Sequence, residues 1–420
     1  MTCESHRKGN PMKKRNHMLL LLLLMAVILN GCTGIPARDS REESSGEQAG
    51  VEEEKDGFSV WNILQEQEAD TLPEEAISAE EEAYLYGYET LPEDQKIIYR
   101  QILKGILERA DTVKITACPQ EELNYINNLI FVDHPGLFWL EQQNYSYTYE
   151  AENTDAAMLE LRLVYNMEKE AIDDLQAQID QTAEEWCAQV PKDGSTYDQI
   201  RYIYEFLGAN VKYEKESVNN QNIQSVFLNQ STVCMGFAKA TQYLLQKMGI
   251  FCTLVTGTVM PDQMEHAWNL VKMGENYYYV DTTWGSPEFS AEEGTIQDFS
   301  YTYLCCTEDT IRVSHAPDES IPLPSCTDDS YNYYKMHGSW YDTFEEDTIY
   351  QVLGNSITEG KEKEDFKFAD ENSYRQAVEA LAQGNLVERA VQDFYPFEPG
   401  ETYSWNIGYS DWERLLTVYW

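Results

Sequence analysis

Between Glu265 and Trp284 two apolar, β-prone runs flank a short polar break. Glu265-His266-Ala267-Trp268-Asn269-Leu270-Val271 and Tyr277-Tyr278-Tyr279-Val280-Asp281-Thr282-Thr283-Trp284 each read as a strand, with Met273-Gly274-Glu275-Asn276 as the turn. Strands this close in sequence pair antiparallel. A loop centred between Met273 and Gly274 sets Val271 against Asn276, Asn269 against Tyr278 and His266 against Asp281. An imidazole and a carboxylate then share one face of the sheet, their Cβ atoms about 5 Å apart. A one-residue slip would send every side chain to the opposite face and undo the pairing.

Upstream, Val233-Cys234-Met235-Gly236-Phe237-Ala238-Lys239-Ala240 leads into an apolar stripe at Ala240, Tyr243, Leu244 and Met248. With Ser231 or Thr232 as the cap, Cys234 falls in the first turn of a helix. Free backbone N–H groups and the positive dipole end favour a thiolate there, and Gly236 leaves room beside the sulfur. Taken alone, a Cys at a helix start is more often inert than nucleophilic, and Asp281 before Thr282-Thr283 also fits a turn cap. Together the three types make a nucleophile, a base and an orienting acid: the imidazole takes the thiol proton and the carboxylate holds the imidazole. A metal centre needs more ligands at short spacing, which His134, His315 and His337 do not supply. These three are read as structural, and neither metal nor cofactor is expected.

Cys-x-Gly-Phe-Ala, His-Ala-Trp-Asn and Tyr-x-Val-Asp-x-Thr-Trp, met in this order, resemble the core of the transglutaminase-like superfamily. That resemblance implies an α+β, papain-like fold with a catalytic helix packed on an antiparallel sheet. It matches Cys234 to the family's nucleophile, His266 to its base and Asp281 to its orienting acid. The implied chemistry is attack on a peptide or glutamine amide carbonyl through a thioester, resolved by water or by an amine. The Cys234 N–H is the natural oxyanion donor, with Gln224, Gln230 and Trp284 as candidates for a second. The motifs cover about residues 230–285. Phe131-Val132-Asp133-His134-Pro135-Gly136-Leu137-Phe138-Trp139 is similar to a segment found upstream of this core in bacterial surface members. Nothing resembling the calcium sites or added β-domains of animal transglutaminases is present.

The N-terminus sets the expected address. Met12-Lys13-Lys14-Arg15 precedes an apolar run from Met18 to Leu29, the charge and length of a signal peptide, with Met12 as the expected start. Leu29-Asn30-Gly31-Cys32 resembles the lipobox of bacterial lipoproteins, which implies cleavage before Cys32, lipid on its thiol and a body held at the outer face of the cytoplasmic membrane. Residues 32–70 are rich in Ser, Gly, Glu and Gln and read as an acidic disordered tether.

The net charge of -43 argues against a nucleic-acid partner, because phosphate would be repelled. Expected partners are instead the membrane, through the anchor, and peptide or protein substrates at the cell surface, cell-wall peptides among them. The remaining chain divides into an N-terminal α+β domain at 71–166, a catalytic domain at 167–340 and a small α+β accessory domain at 341–420. Helices are expected at Pro92–Ala110, Glu168–Val190, Thr196–Val211 and Ser373–Leu381. Strands are expected at Phe138–Leu140, Tyr145–Tyr149, Leu159–Tyr165, Asp365–Ala369, Thr402–Tyr409 and Trp412–Trp420. The 29 tyrosines read as half-buried packing rather than a sugar platform. Cys118, Cys187, Cys234, Cys252, Cys305, Cys306 and Cys326 are odd in number, which is compatible with a free Cys234. Cys305 and Cys306 read as small residues on a Tyr-rich strand. Two function classes follow: a lipid-anchored cysteine hydrolase or acyltransferase, and a surface-binding or scaffolding lipoprotein that keeps the fold without turnover.

Overall fold

The computed structural model describes residues 77, 82–140, 146–149, 158–287, 298–398 and 401–420. The expected signal peptide, Cys32 and tether lie outside these residues. Among the described residues no helix is long and apolar enough to cross a membrane.

Helix α1 (Glu93–Leu107) starts after Pro92, whose ring fixes φ at -67° while ψ stays extended at the N-cap, with Glu93 and Asp94 at its positive end and Lys104 at its negative end. Its stripe buries Ile98, Ile102, Leu103 and Ile106. Strand β1 (Thr112–Thr116) and helix α2 (Gln120–Asp133), neither expected from the sequence, follow. Strands β2 (Ser146–Tyr149) and β3 (Met158–Arg162) complete an antiparallel sheet in the order β1-β3-β2. The expected strand at Phe138–Leu140 is absent: after Pro135-Gly136 the chain turns, and only Leu140 bridges Tyr165. At the end of α2 the buried Asp133 carboxylate accepts from Gly87 N at 2.7 Å, Tyr88 N at 2.8 Å and Tyr99 Oη at 2.9 Å. Burial nevertheless pushes its carboxyl up to about 7.

Helices α3 (Lys169–Cys187) and α4 (Thr196–Asn210) lie where the periodicity put them, and a Ser195–Asp198 capping box opens α4. Helix α5 (Ile223–Asn229) ends at Gln230 in the left-handed region, φ 51°. Helix α6 (Cys234–Lys247) then packs on a four-stranded antiparallel sheet of β4 (Cys252–Val259), β5 (Met264–Met273), β6 (Asn276–Val280) and β7 (His315–Pro317), ordered β6-β5-β4-β7. One continuous core runs from Leu85 and Ile98 through Ile130, Ile179, Leu207 and Leu244 to Leu304. Cys305 and Cys306 are not on a strand: Cys305 is left-handed at φ 50° and Cys306 makes a single bridge to Tyr279.

The C-terminal residues build a second core around Leu353, Phe366, Phe368, Val391, Leu416 and Val418. Its sheet comprises Trp340–Tyr341, β8 (Lys363–Phe368), β10 (Leu415–Tyr419) and β9 (Asn406–Ser410), in that spatial order, the first pair parallel and the rest antiparallel. Two helices the sequence did not announce, α7 (Glu346–Glu359) and α8 (Leu386–Phe394), pack on each other. This unit grips residues 298–302 of the preceding region through polar side chains. Lys363 Nζ meets Asp298 Oδ2 at 2.6 Å, Lys367 Nζ donates to Thr302 Oγ1 at 3.2 Å, and Ser300 Oγ donates to Glu413.

Candidate active site

The hairpin of β5 and β6 forms as expected, in a different register. Asn269 pairs with Val280 and Val271 with Tyr278, so the pairing is displaced by two residues. The cause is the turn: Met273 faces Asn276, and Gly274, at φ 61°, takes a left-handed position that a residue with a Cβ rarely adopts. A two-residue displacement preserves the face, so His266 and Asp281 stay on one side of the sheet as diagonal neighbours. Asp281 lies just past β6 as the N-cap of a short helix, Thr282–Gly285.

His266 Nε2 lies 2.7 Å from Asp281 Oδ2, with the imidazole 6 % exposed and the carboxylate fully buried. The other oxygen, Oδ1, accepts the backbone N–H groups of Thr283 at 2.9 Å and Trp284 at 3.1 Å. Both readings of Asp281, turn cap and partner of His266, are therefore true of the same side chain. Burial alone would raise the Asp281 carboxyl, but His266 and then His315 outweigh it and hold it well below the usual carboxylate range. Burial would likewise push His266 down; the Asp281 charge and hydrogen bond, with a hydrogen bond to Cys234, push it up instead. With Nε2 occupied by Asp281, Nδ1 is the ring nitrogen left for the Cys234 thiol.

Cys234 is partly accessible and is the first residue of α6. The cap differs from the expected one. Val233 occupies the N-cap position without a side-chain bond, while Thr232 Oγ1 is spent on Asn220 O at 2.9 Å and Ser225 Oγ at 2.7 Å. Gly236 serves that packing rather than clearing space beside the sulfur, because a Cβ there would stand 1.9 Å from Thr232 Oγ1. Two bonds bind the helix to the segments bearing the other groups: Thr241 Oγ1 to Thr282 Oγ1 of the short helix after Asp281 at 3.0 Å, and Asn269 Nδ2 of β5 to the Ala238 carbonyl at 3.0 Å.

Trp268 and Trp284 pack on the His266 ring, centroids 5.8 and 6.0 Å away. Of the three side chains considered as second oxyanion donors, only Trp284 is placed in ring contact with His266. Gln224 accepts from Asn219 Nδ2 through its Oε1 at 2.8 Å, which leaves Nε2 as its donating end, and Gln230 is exposed at the end of α5.

His315, read from sequence as having no part in the chemistry, is fully buried beside the pair and puts Nε2 3.0 Å from Asp281 Oδ2. Strand β7 brings it there by pairing with β4, Val259 opposite His315. His266, Asp281 and His315 offer ligand-type atoms within 4.8 Å of one another. Two of those separations, 2.7 and 3.0 Å, are ordinary N–H···O lengths. His134 and His337 lie elsewhere, His134 against Tyr99 and His337 stacked on Tyr333.

The family model of the transglutaminase-like superfamily matches residues 184–282. Kyphoscoliosis peptidase of Mus musculus is 24% identical over 124 residues, 26% of this chain and 18% of that protein. The Homo sapiens protein of the same name is 24% identical over 104 residues, 21% of this chain and 16% of its own length. The chain thus spans less than a fifth of these relatives. A solved structure described as a TGase shares 14% identity over 41% of this chain and 50% of that one, with a TM-score of 0.24. Residues 184–282, which carry Cys234, His266 and Asp281, form a transglutaminase-like domain of α+β fold.

Proposed function

We propose that the protein is a cysteine enzyme acting on peptide or glutamine amide bonds through a thioester on Cys234. The observation that carries this reading is the His266 imidazole held 2.7 Å from the buried Asp281 carboxylate, with the helix that begins at Cys234 bonded to both their segments through Thr241 and Asn269. In the first step the Cys234 sulfur attacks the amide carbon and its proton passes to His266 Nδ1. Asp281 stabilises the imidazolium so formed. The first-turn N–H groups of α6 have no intrahelical acceptor, so the Cys234 N–H is free of helix bonding to receive the oxyanion. As the C–N bond breaks, His266 returns the proton to the departing ammonia or amine. Water or a second amine then attacks the thioester, gives its proton to His266 and expels the Cys234 thiolate. The lipobox-like segment ending at Cys32 supports an enzyme tethered at the outer face of the membrane, where peptides and surface proteins are the accessible substrates.

The experiment is the rate of iodoacetamide alkylation at Cys234 between pH 5 and 9, in the wild type and in His266→Ala. Rapid labelling below pH 7 that is lost in the variant is the expected result. Labelling that follows an ordinary thiol titration and ignores the variant overturns the enzyme and favours a fold kept for binding.

A further inference from the structure

We infer that His315 is a positioning residue for this site, a second imidazole that fixes the Asp281 carboxylate through Oδ2, the oxygen that the short helix does not hold; the inference rests on the reading of Cys234, His266 and Asp281 given above. An ionised carboxylate offers about four lone-pair positions. Here all four are used: Oδ1 accepts from Thr283 N and Trp284 N, and Oδ2 accepts from His266 Nε2 and His315 Nε2. A carboxylate met only from the backbone side could still pivot toward or away from His266. The fourth bond removes that freedom.

The surroundings of His315 fix its own orientation. Its Nδ1 lies 2.8 Å from Ser314 Oγ, and that hydroxyl lies 3.1 Å from Tyr303 Oη. One assignment satisfies every atom: Tyr303 donates to Ser314, Ser314 donates to Nδ1, and Nε2–H donates to Asp281. Three aromatic rings enclose the imidazole, with centroids 4.7 Å away for Trp284, 5.0 Å for Trp268 and 5.3 Å for Tyr303. Tyr303 is doubly involved, since its backbone carbonyl accepts from Asp281 N at 3.0 Å. A buried histidine whose two nitrogens are both engaged, one of them on the reacting group's own partner, is more than core filling.

The test compares Cys234 alkylation at pH 6 in the full chain carrying His315→Leu or His315→Gln. Leu removes the donor; Gln places an amide N–H near the Nε2 position without a titrating ring. Loss of a buried bond to a charged acceptor predicts labelling about ten- to a hundredfold slower for His315→Leu, with His315→Gln within about threefold of wild type. Equal rates in wild type and His315→Leu, or a folded His315→Gln as slow as His315→Leu, overturn the inference. A second measurement needs no variant fold: in the histidine-15N-labelled wild type, the ring at His315 is expected as the Nε2–H tautomer, and an Nδ1–H tautomer there overturns it. A wild type whose Cys234 labels like a free thiol refutes the enzyme instead, and the tautomer still judges His315 by itself.

Discussion

Asn269 on β5 donates its side-chain amide to the main-chain carbonyl of Ala238 on α6 at 3.0 Å. The same amide also reaches the Thr253 carbonyl of β4 at 3.3 Å. One buried residue thus joins the helix that begins at Cys234 to two strands of the sheet that carries His266. Replacing it with Leu leaves two carbonyls without that donor, at about 1–3 kcal/mol. Thermal melting of Asn269→Leu should show a drop of several degrees, with slower Cys234 alkylation in the protein that remains folded.

Asp281→Asn keeps the shape and removes the charge. It can present an N–H to one neighbour and an oxygen to the other, so His266 loses its orienting carboxylate. In the proposed reaction, amide hydrolysis or transfer should fall on the order of 10⁴-fold, as expected when a triad acid is neutralised. The same carboxyl is held well below its usual range, so its contribution to stability is present above about pH 4 and disappears as pH falls through the lower native value. Acid unfolding of Asp281→Asn should therefore depend less steeply on pH than that of the wild type.

Asp133 has the opposite sign. Burial pushes its carboxyl up to about 7, so the native state holds that proton more tightly than the unfolded chain does. The stabilisation is complete below about pH 4 and is lost as pH rises through about 7. Melting temperatures between pH 5 and 8.5 should fall for the wild type, with a flatter profile in Asp133→Asn.

Gly236→Ala tests the packing beneath the thiol. The added Cβ would meet Thr232 Oγ1 at 1.9 Å and Thr232 Cβ at 2.9 Å. A cost of about 3 kcal/mol is expected, and since the clash lies one turn from Cys234, alkylation should slow together with the loss of stability. Gly236→Ala with Thr232→Ala should recover part of both, the residual strain reflecting the Cβ contact.

Parity, more than register, was what the sequence could deliver at this site. Alternation along β5 and β6 put His266 and Asp281 on one face, and that survived a two-residue error in the turn because strand side chains repeat every second residue. The helix ahead of them was readable from its apolar stripe, though not its cap: a hydroxyl next to a helix start looks the same in sequence whether it caps the helix or, like Thr232, bonds elsewhere. His315 left no signal. It sits on a three-residue strand too short to show alternation, and only pairing with β4, itself unread, carries it to Asp281. The run Cys252-Thr253-Leu254-Val255-Thr256 held enough β-branched residues to have given β4 away.

The grip of the C-terminal unit on residues 298–302 has a consequence for how the protein tolerates change. That strip runs directly into Tyr303, whose carbonyl holds the Asp281 amide and whose hydroxyl leads to His315. A chain ending before Trp340 would keep every group the proposed chemistry uses and lose Lys363, Lys367 and Glu413, which steady the strip from outside. The C-terminal unit is in that sense the jig in which the Asp281 carboxylate is set, and drift in its sequence should be felt first as misalignment rather than as unfolding.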